Sequence, residues 1–339
     1  MKLFGFALGV ATLLAFQDPP PPPAPAGPSF EEFLAGVRAE ALKRGISEAT
    51  LDRALAGLQP EAVVVARDRA QPELVQSLDE YVERRLSART IANAREMAAR
   101  HAKLLRQVDG KYGVPPPLMI AIWGLESNFG TFTGSYPTIS ALATLAHDGR
   151  RALFRSELFA ALAIVEQKKI EPAVLKGSWA GAMGQPQFMP SSFLKHAVDF
   201  DGDKDIDIWT STADVFGSMA NYLQAAGWRD GERWGREVRI SRTVMAKIDR
   251  SVGMRSGGCR AVRELTTARS LGTWRQLGVT LSSGQALPKA DLSASLVRGN
   301  KRHFLVYRNY EAILSYNCSN SYAVSVGMLS DRIAAKYGG

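Results

Sequence analysis

The sequence predicts a mainly α fold, in which an N-terminal helical region precedes a helical core that is interrupted by a small inserted α+β unit. Three observations carry this expectation. Apolar residues recur at helical spacing among charges from Ser29 to about Arg106, and the same texture resumes after a Pro triplet at 115 to 117. Beyond Trp228 it gives way to short β-prone runs separated by Gly, Pro and Ser, before helical spacing returns near the C-terminus. With 339 residues, 46% hydrophobic and 22% charged, the chain can bury a sizeable core and is neither a disordered nor a polytopic membrane chain.

Taken in order, "MKLFGFALGVATLLAF" places Lys2 before an apolar stretch and reads as a secretory signal peptide over residues 1–17. The stretch is shorter than the ~20 residues that span a bilayer, and no Cys near its end could accept a lipid. An uncleaved N-terminal anchor is the alternative. "DPPPPPAPAGP", residues 18–28, cannot pack a core and is expected to be an extended spacer. The folded part starts at Ser29, whose spacing to Glu32 is that of a capping box, and the first helix closes on Gly45. "SEATLDRALAGL" repeats the design, and residues 80–113 predict one long surface helix or two. Residues 29–106 are therefore read as an N-terminal helical domain.

The Pro triplet starts the next helix, "LMIAIWGLE", since Pro is tolerated in a first helical turn and disfavoured inside. Further helices alternate with Gly-rich loops to about Ala226. "REVRISRTVM", "GVTLSSGQALP", "DLSASLVRG" and "HFLVYRN" predict a small sheet, and "YEAILSYN" and "SYAVSVGMLSDRIAAKY" return to helix. Residues 107–226 and 303–339 are read as the core and 227–302 as the β-containing domain. No repeat with a period of 20 to 50 residues is present.

The formal net charge of +9 points to an anionic partner. Nucleic acid, acidic lipid headgroups and an acidic wall polymer all fit by charge, but an exported protein seldom meets the first, and a generally basic solvated surface would also account for it. Cys259 and Cys318 are the only cysteines. An oxidising compartment lets such a pair persist as a disulfide, but spacing does not place their Cα atoms, so two separate thiols remain an alternative.

Glu126 is the first candidate for chemistry. It lies four residues after Ile122 and seven after Met119, so in a helix it shares their apolar stripe. A carboxyl in a dry pocket keeps its proton to higher pH, as a general acid must. A Glu that turns outward at Ser127, Asn128 and Gly130 is the plainer reading. The stretch "KGSWAGAMGQPQFMPSSF", 176–193, favours the first, because small residues and two amides bring donors close to a sugar while Trp179 and Phe188 can cover its flat face.

"DFDGDKDIDIWTSTAD" sets Asp199, Asp201, Asp203, Asp205 and Asp207 at alternate positions with Asp214 further on. Like charges so arranged repel unless a cation sits among them. The spacing is close to an EF-hand loop, and oxygen donors favour Ca²⁺. Lys204 stands where Gly is expected and Thr210 where a bidentate Glu would be, which leaves Asp214 to close a shell of Asp199, Asp201, Asp203 and Asp205. A solvated acidic turn is the alternative. Such a cation would brace the core, with no role in activating water.

These residues carry a resemblance. "GLESNFG", "GSWAGAMGQPQFMPSS", "DFDGDKDIDIW", "ANYL" and "YNCSNSYAVSVG" resemble, in order, the motifs of lytic murein transglycosylases of the membrane-bound transglycosylase B type, here in a soluble, non-lipidated form, over about residues 29 to 335. The resemblance implies a lysozyme-like helical core acting on peptidoglycan in the periplasm, with Glu126 as sole catalytic acid/base. Ser178 and Gln187 match sugar-contacting residues of the family loop, and Tyr316, Asn317 and Tyr322 match polar residues that close the cleft. It also implies that no cofactor is required for the chemistry, although the family often carries a metal at the acidic loop.

Peptidoglycan glycan strands are then the expected partner, nucleic acid is not, cell-wall synthesis proteins are candidate recruiters, and the chain is expected to act as a monomer. Most glycosidases need two carboxylates, whereas these motifs offer one, so the substrate's N-acetyl group is expected to supply the second function. A non-catalytic wall-binding or scaffolding protein is the alternative from another class. Hydrolysis by water is the chemical rival.

Overall fold

The computed structural model describes residues 27–69, 76–149, 152–168 and 171–335, so the expected signal peptide and nearly all of the proline-rich run lie outside the described residues. Three apolar clusters organise the fold. In the first, helices α1 (Phe30–Lys43), α2 (Glu48–Leu55) and α3 (Ala62–Arg69) pack against α8 (Thr138–Asp148) and α9 (Leu153–Lys168), burying Leu51, Leu142 and Leu158. Ser29 opens α1 with a reciprocal box, its hydroxyl accepting from Glu32 N while the Glu32 carboxylate accepts from Ser29 N.

The second cluster surrounds α7 (Pro116–Ser127), with α4 (Leu78–Arg85), α5 (Ala88–Arg100), α6 (Ala102–Tyr112), α11 (Thr212–Ala225), α15 (Arg308–Tyr316) and α16 (Asn320–Ala334) about it. Every residue of α7 from Leu118 to Leu125 is buried, as befits a helix apolar on all sides. The run at 80–113, expected as one or two helices, forms parts of three. Ser87 caps α5 by accepting from Thr90 N, and the chain turns again at His101, which ends α5 and begins α6. Each break lets the next segment turn its apolar stripe toward α7 or α11, so packing overrides a continuous surface helix.

A third cluster lies in an antiparallel five-stranded sheet of order β4-β6-β7-β3-β5, built from β3 (Gly235–Arg239), β4 (Arg269–Ser270), β5 (Thr280–Leu281), β6 (Ser293–Arg298) and β7 (His303–Val306). Here α12 (Arg242–Ser251) and α14 (Leu271–Leu277) contribute Ile248 and Trp274 to a core with Leu296 and Leu305. A separate ladder, β1 (Tyr136–Pro137) with β2 (Lys176–Gly177), ties the segment after α7 to the Gly-rich loop. The fold is thus mainly helical, with small antiparallel sheets. Among the described residues no helix is long and apolar enough to cross a membrane.

Candidate active site

Glu126 is the penultimate residue of α7, and the chain leaves the helix abruptly behind it. Asn128 and Phe129 adopt left-handed φ of 49° and 58°, and Gly130 N donates to Ser127 Oγ at 3.0 Å. This turn folds the Phe129 ring back onto Gly124. A Cβ on Gly124 would stand 2.6 Å from that ring, so glycine is required there.

Glu126 as a residue is intermediate in exposure, while side chains crowd around its carboxyl. Burial pushes its pKa up to about 7; the Tyr322 hydroxyl and the Arg85 guanidinium oppose that rise less strongly. Arg85 is held in place from α4 by donating through Nη2 to the Leu125 carbonyl oxygen. Tyr322 is buried, and its hydroxyl lies against Glu126 without forming a hydrogen bond of full geometry to any described residue. Tyr316 donates to Pro186 O at 2.6 Å; burial, reinforced by the Glu126 charge, pushes both tyrosines well above the ordinary range. The arrangement therefore holds a proton at neutral pH and has groups ready to steady the anion once it leaves.

The Gly-rich loop reaches α7 through Gln185, which sequence reasoning passed over in favour of Gln187. Gln185 Oε1 accepts from Trp123 Nε1 at 2.8 Å, its Nε2 donates to Trp209 O at 2.8 Å, and its backbone N donates to Ile208 O at 2.9 Å. One buried amide thus joins the catalytic helix, the loop and the end of the acidic run. Two glutamines flanking Pro186 were the only signal, and nothing local says which one turns inward.

Gln187 has a left-handed φ of 52° and donates through Nε2 to Gly184 O at 2.8 Å and to Thr133 O at 3.1 Å. Its Oε1 has no partner among the described residues, so it offers an acceptor beside the segment that follows Glu126. The Ser178 hydroxyl accepts from Ala180 N and Ala182 N at 3.3 and 3.1 Å, which makes it a builder of the loop as well as a candidate contact. Asn317 is exposed on the turn between Tyr316 and Tyr322. Phe188 departs from expectation: it is 2% exposed and packs with Tyr222 and Tyr316 at centroid distances of 5.6 and 5.8 Å, so it supports the tyrosines and presents no face to a sugar. Trp179 remains half-buried.

In the acidic run, ligand oxygens of Asp199, Asp201 and Asp203 lie within 4.8 Å of one another. The structure does not bring Asp205 and Asp214 into that group. The two oxygens of Asp214 accept from Phe200 N at 2.7 Å and Asp207 N at 2.8 Å, so this buried carboxylate staples two parts of the loop together. Asp205 Oδ1 accepts from Ile206 N at 2.8 Å. Cys259 and Cys318 are joined in a disulfide with Cα atoms 6.3 Å apart. A cavity of about 730 Å³ between α1 and α2 contains none of these residues.

Residues 29–331 match the family described as Transglycosylase SLT domain. Membrane-bound lytic murein transglycosylase B of Escherichia coli (strain K12) is 33% identical over 232 residues, 66% of this chain; the match spans 58% of that relative's length. Among solved structures, SltB3 from Pseudomonas aeruginosa in complex with NAG-NAM-pentapeptide superposes with a TM-score of 0.80 at 40% identity, covering 92% of this chain and 81% of that one. Escherichia coli lytic transglycosylase Slt35 in complex with calcium superposes with a TM-score of 0.73 at 28% identity, covering 91% and 93%. With its family match running from the capping serine of α1 into the last turns of α16, the chain belongs to the Transglycosylase SLT domain family.

Proposed function

We propose that this protein is a peptidoglycan lytic transglycosylase that cleaves the β-1,4 bond between N-acetylmuramic acid and N-acetylglucosamine and leaves 1,6-anhydro ends. One observation carries the reading: the single carboxyl of Glu126, at the end of α7 and raised to about 7 by burial, on which no second carboxylate acts among the described residues. Glycosidases with a carboxylate pair hold the two groups about 5 to 10 Å apart, where each would act on the other's proton. The complex of SltB3 with NAG-NAM-pentapeptide supports the substrate class.

In the proposed cycle, protonated Glu126 gives its proton to the glycosidic oxygen as the bond from that oxygen to C1 of the muramoyl residue breaks. The N-acetyl carbonyl of the same residue stabilises the cation at C1, while Arg85 and Tyr322 steady the new carboxylate. Glu126 then takes the proton of the C6 hydroxyl, whose oxygen bonds to C1 and closes the anhydro ring. The enzyme regains its proton and no water is consumed, so one group serves as acid and then base at a pKa suited to both. Gln187 and Ser178 on the loop, with Tyr316, Asn317 and Tyr322 opposite, are the proposed substrate contacts.

The acidic loop adds a structural proposal. Three carboxylates whose oxygens converge suit a hard divalent cation, and Slt35 was solved with calcium, so Asp199, Asp201 and Asp203 would hold Ca²⁺ and stiffen the loop that Gln185 joins to α7. The apolar stretch at 1–17, read as a leader, and the proline-rich run before Ser29 would suit a periplasmic place of action, and the proposed division of the chain is 29–106, a core of 107–226 with 303–339, and 227–302.

Incubating the purified chain with sacculi and identifying the released sugars by mass spectrometry tests the reading. Anhydro-muramoyl ends are expected. Reducing ends in their place would make the protein a hydrolase, and no release with retained binding would leave it a wall-binding protein.

A further inference from the structure

The turn from Asn317 to Ser319 joins α15 to α16, and its flanks carry Tyr316 and Tyr322, the two tyrosines that interact with Glu126. Inward, Tyr316 is fixed by its bond to Pro186 O and by the Tyr222 ring at 5.0 Å between centroids. Outward, two side-chain ties lead from this region to one short segment of the β-containing unit. Cys318 is bonded to Cys259, and Asn320 Nδ2 donates to Ala261 O at 3.0 Å and Glu264 Oε2 at 3.1 Å.

The non-covalent ties are unequal: Ala261 and Leu265 are buried in the cluster that holds Ala312 and Ile313, and the Asn320 to Ala261 bond is part-buried. The Asn320 to Glu264 bond is exposed and exchanges with water at little net cost. The helix that receives it, α13 (Arg260–Arg263), has four residues, a single turn that does not stand without its neighbours. Both cysteines are exposed, so the bond between them covers no apolar core and contributes by constraint alone. It lies two residues from Tyr316 and four from Tyr322, while the 59-residue span that it closes contains most of the sheet.

We propose that the Cys259–Cys318 disulfide is a positioning element of the site, clamping the turn so that Tyr316 and Tyr322 stay packed over Glu126 and keep water from its carboxyl. The cysteines act through the tyrosines and touch no reacting atom. The inference rests on the transglycosylase reading. The groups that act on Glu126 or its partners come from four elements: Arg85 and Tyr81 on α4, Tyr222 on α11, Tyr316 at the end of α15, and Tyr322 on α16. Burial is the largest influence on the carboxyl, ahead of the Tyr322 hydroxyl and Arg85, so a loosened turn that admits water lowers its pKa even though the Tyr322 contact is also lost.

Sacculus digestion is measured from pH 5 to 9, well below the melting midpoint, with three samples: the oxidised chain, the chain reduced with dithiothreitol, and the Cys259→Ser/Cys318→Ser variant. In the reduction the disulfide accepts two electrons and two protons to give two thiols, and dithiothreitol becomes its cyclic disulfide; thiol titration confirms the opening. The alkaline limb of the kcat profile is expected to move down by about one pH unit, which lowers kcat at pH 7 about fivefold through the smaller protonated fraction, and reoxidation restores it. An unchanged profile with the bond open overturns the proposal, whatever happens to the melting midpoint. Global unfolding on reduction, seen by circular dichroism, also overturns it, since the bond would then hold the fold and not the turn. If the double variant fails to fold although the reduced chain stays folded, the reduced chain decides by the same criterion. An oxidised chain that releases no anhydro ends defeats the activity reading instead.

Discussion

The end of α7 and the loop at 199–214 place the same functional group in two different surroundings. At Glu126, among the described residues, no backbone N–H donates to the carboxyl; burial dominates and the proton is held to about pH 7. In the loop, backbone donors crowd onto carboxylates: Asp199 accepts from Gly202 N at 2.6 Å and Lys204 N at 2.9 Å, Asp207 from Trp209 N and Thr210 N, and Asp214 from Phe200 N and Asp207 N. Even there, desolvation raises the pKa of buried Asp214 against the two bonds that lower it. The contrast teaches that a carboxyl becomes a proton carrier where desolvation outweighs its few partners, and becomes a structural clasp where backbone donors converge on it. Gln185 ties the two regions together, so each can be perturbed while the other is observed.

The largest effect is expected from removing the proton carrier. Glu126→Gln keeps shape but cannot exchange the proton, and kcat should fall by roughly 10³-fold or more while binding of muropeptide glycans persists. Full activity in product analysis would remove Glu126 from the mechanism.

The same substitution should alter how stability depends on pH. A carboxyl whose native pKa is raised from 4.5 to about 7 binds more protons folded than unfolded between those values, so wild-type stability falls as pH rises through that window. Glutamine has no such term. Urea unfolding should find the variant equal to wild type in this respect at pH 4 and relatively more stable at pH 8, by about 3 kcal/mol at most. Parallel pH curves would mean that the carboxyl is not buried against solvent as described.

Cutting the link comes next. Gln185→Ala leaves Trp123 Nε1 without its acceptor and Trp209 O without its donor, at a cost of about 2 kcal/mol in unfolding free energy. Because Trp123 packs in α7 just before Glu126, kcat should drop as well. A stable variant with normal kcat would show that the two regions are independent.

The smallest effect is expected at the acidic loop. Free Ca²⁺ at ten times its Kd should add about 1.4 kcal/mol of stability, seen as a raised melting midpoint that chelator reverses and Asp201→Asn weakens. An unchanged midpoint would mark the loop as an acidic turn held by its own backbone donors.

Much of this contrast was legible from residues alone. Ser29 and Glu32 at spacing three announced the first helix, the Pro triplet and the apolar run announced α7, and the alternation of aspartates announced the acidic loop. Bonds between residues one to five apart start both helices and make most of the turns of the acidic loop, so neighbours in the chain carry the information. Other features were not legible. The breaks at Ser87 and His101, the inward turn of Gln185 and the burial of Phe188 under Tyr316 and Tyr222 depend on packing against distant segments, and the use of Asp214 as a staple depends on bonds 7 and 14 residues long that close the loop on itself.

By itself the sequence determined that one acid ends an apolar helix beside a loop of small residues and amides, and that two cysteines and a row of aspartates were available. Only the tertiary structure decided how acidic that group is. Its pKa is a sum over Arg85 on α4, the apolar neighbours of α7 and the tyrosines at the α15–α16 turn, groups far apart in the chain that meet only when the helices pack. Desolvation is a property of a place, and places are made by the fold.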